Sequence, residues 1–166
     1  MSHAIAEEHL VEHGDAMNML RSAIAEAPGP EAATQRVVDL LHDRFSHYDW
    51  VGIYWVDPSG TDLVLGPWTG PEATEHVRIP VGVGICGAAA ESGLTEIIPD
   101  VNADSRYLAC FSTTQSEIVV PIFAEGQVVG EIDIDGSDLA AYDGTDAIFL
   151  EEIAALLAPL RPRETA

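Results

Sequence analysis

The strongest constraint on the fold is a pair of alternating runs near the C-terminus, Ser116 to Phe123 and Gln127 to Asp135, separated by a tight turn at Glu125-Gly126. Side chains on a strand alternate between faces, so parity sorts each run into two sets. Ile118, Val120 and Ile122 share one face of the first run, and Glu117 lies opposite with Val119. Val128, Gly130, Ile132 and Ile134 share one face of the second, and Glu131, Asp133 and Asp135 share the other. A third run, Trp50 to Val56, divides the same way: Val51, Ile53 and Trp55 against Trp50, Gly52 and Tyr54. The spacing therefore predicts a sheet with one aliphatic face and one face carrying acids and aromatics. An antiparallel sheet with a solvated side accounts for the acids alone. Aromatics beside them fit a pocket, which combines apolar walls with a few polar groups.

The rest of the chain supplies helices for the aliphatic face. A first helix spans about Ala4 to Ala25, with Leu10, Met17, Leu20 and Ile24 on one stripe, and Ala27-Pro28-Gly29-Pro30 breaks it. A second carries Val37, Leu40, Leu41 and Phe45. Leu63 to Trp68 forms a hairpin with Trp50–Val56 across Asp57-Pro58-Ser59-Gly60. Val77 to Pro80 is extended, Gly82 to Gly87 opens a short helix that Gly93 ends, and Thr95 to Ile98 is a short strand. Pro99 to Thr114 is a long loop, a class that is usually functional. An amphipathic helix closes the chain from about Thr145, with Phe149, Ile153, Leu156, Leu157 and Leu160 on one face. This order reads as an α+β fold with a mainly antiparallel sheet, in one domain over residues 1–166. With 47% apolar residues a chain of this length can bury a core.

Charge narrows the partners. There are 28 acidic side chains against 7 basic ones, all arginine, for a net charge of -21. Such a surface repels phosphate backbones and anionic lipid, which argues against nucleic-acid and membrane partners. It keeps the protein soluble, and it also suits a salt-rich cytoplasm, in which case stability rises steeply with salt. His3, Glu7 and Glu8 interrupt the start of the chain, so no secretion signal is read there, and the expected location is the cytoplasm.

In that compartment a cysteine pair is more often redox-active than structural. Cys86 lies at the mouth of the short helix after a glycine-rich turn, where amide dipoles favour an anion and lower a thiol's pKa. Cys110 lies in the long loop, before the strand bearing Glu117. A buried, inert cysteine is the plain alternative for each. The Gly82-x-Gly84-x-x-Gly87 run lacks the βαβ context of a dinucleotide site. The six histidines show no H-x-x-H or H-E-x-x-H motif and there is no CxxC, so no metal site is expected.

The chain resembles the free methionine-R-sulfoxide reductases, a branch of the GAF-domain family. The stretches that carry the likeness are Trp50–Tyr54, Leu63–Pro67, Val77–Gly87, Ser116–Pro121 and Gly130–Asp135. The resemblance implies an antiparallel sheet with terminal helices on one face and an enclosed pocket on the other. It implies thiol reduction of the sulfoxide of the free amino acid, without a bound cofactor and with recycling by thioredoxin. Homodimers are common in the family, and residues 1–27 are the segment expected to contribute to such an interface. By this likeness Cys110 attacks and becomes a sulfenic acid, and Cys86 resolves it as a disulfide. Glu117, Asp133, Asp135, Trp50 and Tyr54 bind the substrate. Two positions depart from the pattern: His76 stands where many members carry a third cysteine, and Phe111 where an acidic residue often follows the reactive one. The alternatives are a GAF module that senses a small ligand without turnover, and an inactive dimeric scaffold.

Overall fold

The structure, a computed structural model, describes residues 2–109 and 111–163, with side chains from residue 7 onward. Helices α1 (Ser2–Glu26) and α2 (Pro30–Arg44) precede strands β1 (Trp50–Val56), β2 (Asp62–Thr69) and β3 (Arg78–Pro80). Helix α3 (Gly84–Ser92), strand β4 (Glu96–Ile98) and a single 3-10 turn (Val101–Ala103) follow. Strands β5 (Ser116–Ala124) and β6 (Gln127–Gly136) lead to α4 (Gly144–Leu157), which tightens into a 3-10 turn at Ala158–Leu160. The sheet runs β3-β2-β1-β6-β5-β4, every neighbouring pair antiparallel. The predicted α+β architecture is the one observed, with each expected element present within a residue or two of its predicted bounds.

Parity divides the core as the alternation predicts except at Val128, which packs with the opposite cluster while Val129 joins the helix side, because a bulge shifts the register between Ile122 and Phe123. Val51, Ile53 and Trp55 of β1, Ile118, Val120 and Ile122 of β5, and Ile132 and Ile134 of β6 pack with α1, α2 and α4. Trp50, Tyr54 and Val119 pack on the other side with α3 and the 99–114 loop. The register makes the acidic face coherent, since Asp135 pairs with both Trp50 and Glu117, and Asp133 with Gly52 and Val119.

The first helix differs from expectation at one point. Leu10, predicted on the buried stripe, is 60% exposed, whereas His13, Ala16, Met17 and Leu20 face the core. The reason is aromatic. His13 stacks flat on Phe149 with ring centroids 4.1 Å apart and meets Phe45 edge-on at 5.6 Å. An imidazole fills a core position that a hydrophobicity pattern passes over, and burial pushes its pKa below the ordinary value.

Two devices fix the entry to β1, which carries Trp50 and Tyr54. Asp143 and Asp146 form a reciprocal capping box at the start of α4. The same Asp146 carboxylate accepts from Tyr48 Oη at 2.7 Å and lies 3.3 Å from His47 Nε2. Asp49 Oδ2 accepts from the Ser137 amide at 2.6 Å, tying β1 to the end of β6.

Candidate active site

Helix α3 covers the acidic face because glycines let it approach. A Cβ on Gly87 would lie 2.7 Å from the Pro80 carbonyl oxygen, so no side chain fits between α3 and β3. Gly84 begins the helix at φ +71, and a Cβ there would lie 2.8 Å from Leu108 Cδ1. The loop over the helix start is clamped by Arg106. Its guanidinium donates to Glu96 at 3.0 and 3.2 Å and to Asp104 at 2.7 and 3.0 Å. That bidentate pairing fastens the segment before Tyr107 and Leu108 to β4.

Beneath this cover, Cys86, Glu117 and Asp133 meet. Cys86 Sγ lies 3.8 Å from Glu117 Oε1, and one ligand-type atom from each of the three residues falls within 4.8 Å of the others. All three are buried. With Tyr54, His76 and Leu108 they line an inner cavity of about 20 Å³, comparable to the room one water requires. Tyr54 donates its hydroxyl to the His76 carbonyl at 2.8 Å, and His76 Nε2 lies 3.2 Å from the Ala109 carbonyl oxygen. His76, at the position where the resemblance implies a third cysteine, therefore touches the residue before Cys110. Cys110 itself lies outside the described residues.

The other two expected pocket residues line a neighbouring cleft. Asp135 and Trp50, with His42, Asp49, Gly70 and Phe111, bound a space of about 470 Å³, within the range of small-molecule sites. Trp50 is held between rings, stacked on Trp68 at 6.0 Å and tilted against Phe111 at 5.9 Å. Its indole also lies over Gly52 and Gly70, where any Cβ would collide with it. Phe111 thus makes a packing contact at the position where the resemblance implies an acidic side chain. The structure divides the predicted set: Cys86, Glu117, Asp133 and Tyr54 gather at the inner cavity, and Asp135 and Trp50 at the cleft beside it.

The electrostatics correct one expectation. Helix-terminal dipoles at Cys86 were expected to lower its thiol pKa. Instead burial pushes it well above the ordinary value, and the Asp133, Glu131 and Glu117 carboxyls push it further. Amide dipoles act across one turn, whereas desolvation and three like-signed neighbours act at contact. The acids respond as an enclosed cluster must. Burial raises the Asp133 and Asp135 carboxyls above their usual range, and the Asp133 charge adds to the rise at Asp135.

Glu131 is a residue of this site that the sequence reading leaves without a role, although parity puts it on this face. It is wholly buried, it adjoins the Cys86 thiol, and its pKa is pushed well up, first by burial and then by Asp133. The hint available in sequence was its place in the Glu131-x-Asp133-x-Asp135 alternation; contact with Cys86 depends on how α3 docks. Among the described residues no histidine joins the Cys86–Glu117–Asp133 group, and the three residues are far apart in sequence, so ligand spacing could not have revealed it. No helix among the described residues is long and apolar enough to cross a membrane.

Comparison with known proteins agrees with this architecture. Residues 29–159 match the GAF domain family. The free methionine-R-sulfoxide reductase of Escherichia coli (strain K12) is 36% identical over 118 residues, 71% of this chain and 69% of that protein. The structure of free methionine-R-sulfoxide reductase from Neisseria meningitidis in complex with its substrate superposes with a TM-score of 0.83 at 37% identity, covering 89% of this chain and 87% of that one. The type II free methionine-R-sulfoxide reductase from Thermoplasma acidophilum gives a TM-score of 0.75 at 40% identity, covering 79% and 91%. The chain belongs to the GAF-domain family, in the branch of the free methionine-R-sulfoxide reductases.

Proposed function

We propose that the protein reduces free methionine-R-sulfoxide to methionine, with Cys110 as attacking thiol and Cys86 as resolving thiol. The observation that carries the reading is the buried contact of Cys86 with Glu117 and Asp133, walled by Tyr54 and adjoined by the Trp50 cleft. The role of Cys110 rests on the family likeness. Its thiolate attacks the sulfoxide sulfur, a carboxylic acid protonates the oxygen, and the hydroxyl passes to Cys110 as methionine leaves. Carboxyls with raised pKa values suit that acid, and Glu117, Asp133 and Asp135 are the candidates. The Cys86 thiol then displaces hydroxide from the Cys110 sulfenic acid, its proton completing a water and leaving a disulfide. A dithiol donor of the thioredoxin type reduces that disulfide.

The charges favour a free amino acid. A carboxylate left ionised beside the protonated acid suits its ammonium group, and the start of α3, which has no side-chain cap, suits its carboxylate. Trp50 and Tyr54 close around the methyl group. The inner cavity has room for about one water, so the substrate spans it and the adjoining cleft. We also infer a cytoplasmic homodimer involving the first helix, whose outer face exposes Leu10, Val11 and Met19; light scattering of the intact chain tests this.

Thioredoxin-coupled consumption of free methionine-R-sulfoxide tests the reading. Wild type is expected to turn over and Cys110→Ser to be inactive. Cys86→Ser is expected to lose thioredoxin-driven turnover while keeping one slow stoichiometric event. Wild-type protein that binds methionine without turnover would make the fold a sensor, and efficient reduction of peptide-bound methionine sulfoxide would overturn the specificity.

A further inference from the structure

Acids gathered on a sheet face are common and by themselves identify nothing. The group at the inner cavity differs in three ways. It includes a thiol, and its members come from three separate elements, α3, β5 and β6, whose reactive atoms converge within 4.8 Å. Its residues are 3 to 6% exposed. Asp133 Oδ1 is buried without a hydrogen-bond partner among the described residues, and the wholly buried Glu131 carboxyl meets no donor there but the Cys86 thiol. Buried acceptors left unmatched are unusual and call for a ligand or a proton.

We propose that the reduced protein binds one thiophilic divalent cation of the Zn²⁺ class through Cys86 Sγ, a Glu117 oxygen and an Asp133 oxygen, with water completing the four positions and Glu131 adjoining the thiol behind them. In a tetrahedral zinc site, bond lengths of about 2.3 Å to sulfur and about 2.0 Å to oxygen separate the two donors by about 3.5 Å. The observed separation is 3.8 Å, so a shift of a few tenths of an ångström closes the site. Mg²⁺ and Ca²⁺ fit poorly, because both prefer six or more oxygens and neither favours a thiolate. A net charge of -21 raises the local concentration of any cation. Binding is an exchange in which the cation enters and the thiol and carboxyl protons leave to solvent, with no change of oxidation state. A cavity of about 20 Å³ accepts an ion.

The functional consequence rests on the reductase reading. A cation held by Cys86 withdraws the resolving thiol and two substrate-facing carboxyls together, which makes it an inhibitor relieved by chelation. Binding itself does not depend on that reading.

The test uses reduced, chelator-free full-length protein. It is titrated with Zn²⁺ against a chromophoric chelator in excess Mg²⁺, and anaerobically with Co²⁺ as a spectroscopic probe. The wild type is expected to take up one Zn²⁺ per chain and to show thiolate-to-cobalt charge-transfer absorption. Cys86→Ser should lose that absorption and bind Zn²⁺ roughly tenfold or more weakly, Glu131→Gln should lose a smaller factor, and Cys110→Ser should keep both signals. Uptake abolished by Mg²⁺, equal uptake by Cys86→Ser, or absorption that vanishes in Cys110→Ser but survives in Cys86→Ser would overturn the proposal. If Cys86→Ser melts without a cooperative transition, the wild-type cobalt spectrum decides, and absence of the thiolate band overturns it. No arm reads turnover. An active enzyme without a zinc site removes this inference alone, and an inactive protein with one removes the reductase reading alone.

Discussion

On the helix side of the sheet, Ile53, Ile118, Ile132 and Ile134 meet Leu41, Leu150 and Ile153 in a continuous aliphatic and aromatic core. On the opposite side, strand neighbours of those isoleucines bury Glu117, Glu131 and Asp133 beside a thiol, and Asp135 beside Trp50. The strands are shared, so the two faces differ by a single step of parity. One face lowers the free energy by removing apolar surface from water. The other holds ionisable groups away from water, where burial disfavours their charged forms. The fold is carried by the first face, and the second is the place where stability is given up for chemistry.

The sharpest way to break this comparison is to move a carboxylate across it. Ile134→Asp puts an unpaired acid in the aliphatic core. It should cost more than about 4 kcal/mol and leave little cooperative unfolding in a thermal melt. Asp133→Asn, one position away on the same strand, should leave the Tm unchanged or raised by a few degrees while turnover of free methionine-R-sulfoxide falls roughly 100-fold or more. If Asp133→Asn unfolded the protein instead, the acidic face would be structural.

Proton linkage gives a finer contrast, because the two faces respond to pH in opposite directions. The folded-state pKa of Glu131 lies above its unfolded value of about 4.3. Above that pH the folded chain keeps a proton that the unfolded chain has released, so stability falls as pH rises toward the folded value. His13 behaves in reverse, its folded pKa lying below the unfolded value of about 6.5. Below that pH the unfolded chain takes up a proton that the folded core refuses, so stability falls as pH drops. Thermal melts across pH should therefore show Glu131→Gln gaining on wild type as pH rises, and His13→Phe gaining as pH falls. The smallest effect per group is at the surface. Repulsion among excess carboxylates should let added salt raise the Tm progressively, with most of the change below about 1 M, where the Debye length has shrunk to about 3 Å.

Strand parity made the division between the faces legible in sequence, since Ile118, Ile132, Ile134, Glu117, Asp133 and Asp135 all fall where period-2 alternation predicts. Turn chemistry at Asp57–Gly60 and Glu125–Gly126 likewise bounded the hairpins. Features set by docking were not legible. Leu10 reads as core and His13 as surface until Phe45 and Phe149 are brought against the helix. The Cys86 thiol looks like a helix-terminal anion until α3 is pressed onto three carboxyls from strands remote in sequence. The placing of Tyr107 and Leu108 over the inner cavity depends on the loop clamped by Arg106, whose partners Glu96 and Asp104 carry no motif.

The Trp50 wall has a historical consequence. Its indole fills the volume that a side chain at Gly52 or Gly70 would need. Substitution at either glycine is blocked while the tryptophan is present, whereas loss of the tryptophan costs the packing of a buried ring but meets no steric bar. Mutational paths through this pocket are therefore ordered. A lineage that reshapes the cleft for a different ligand must surrender the indole first, and after new side chains fill the two glycine positions the ancestral wall can no longer be regained in one step.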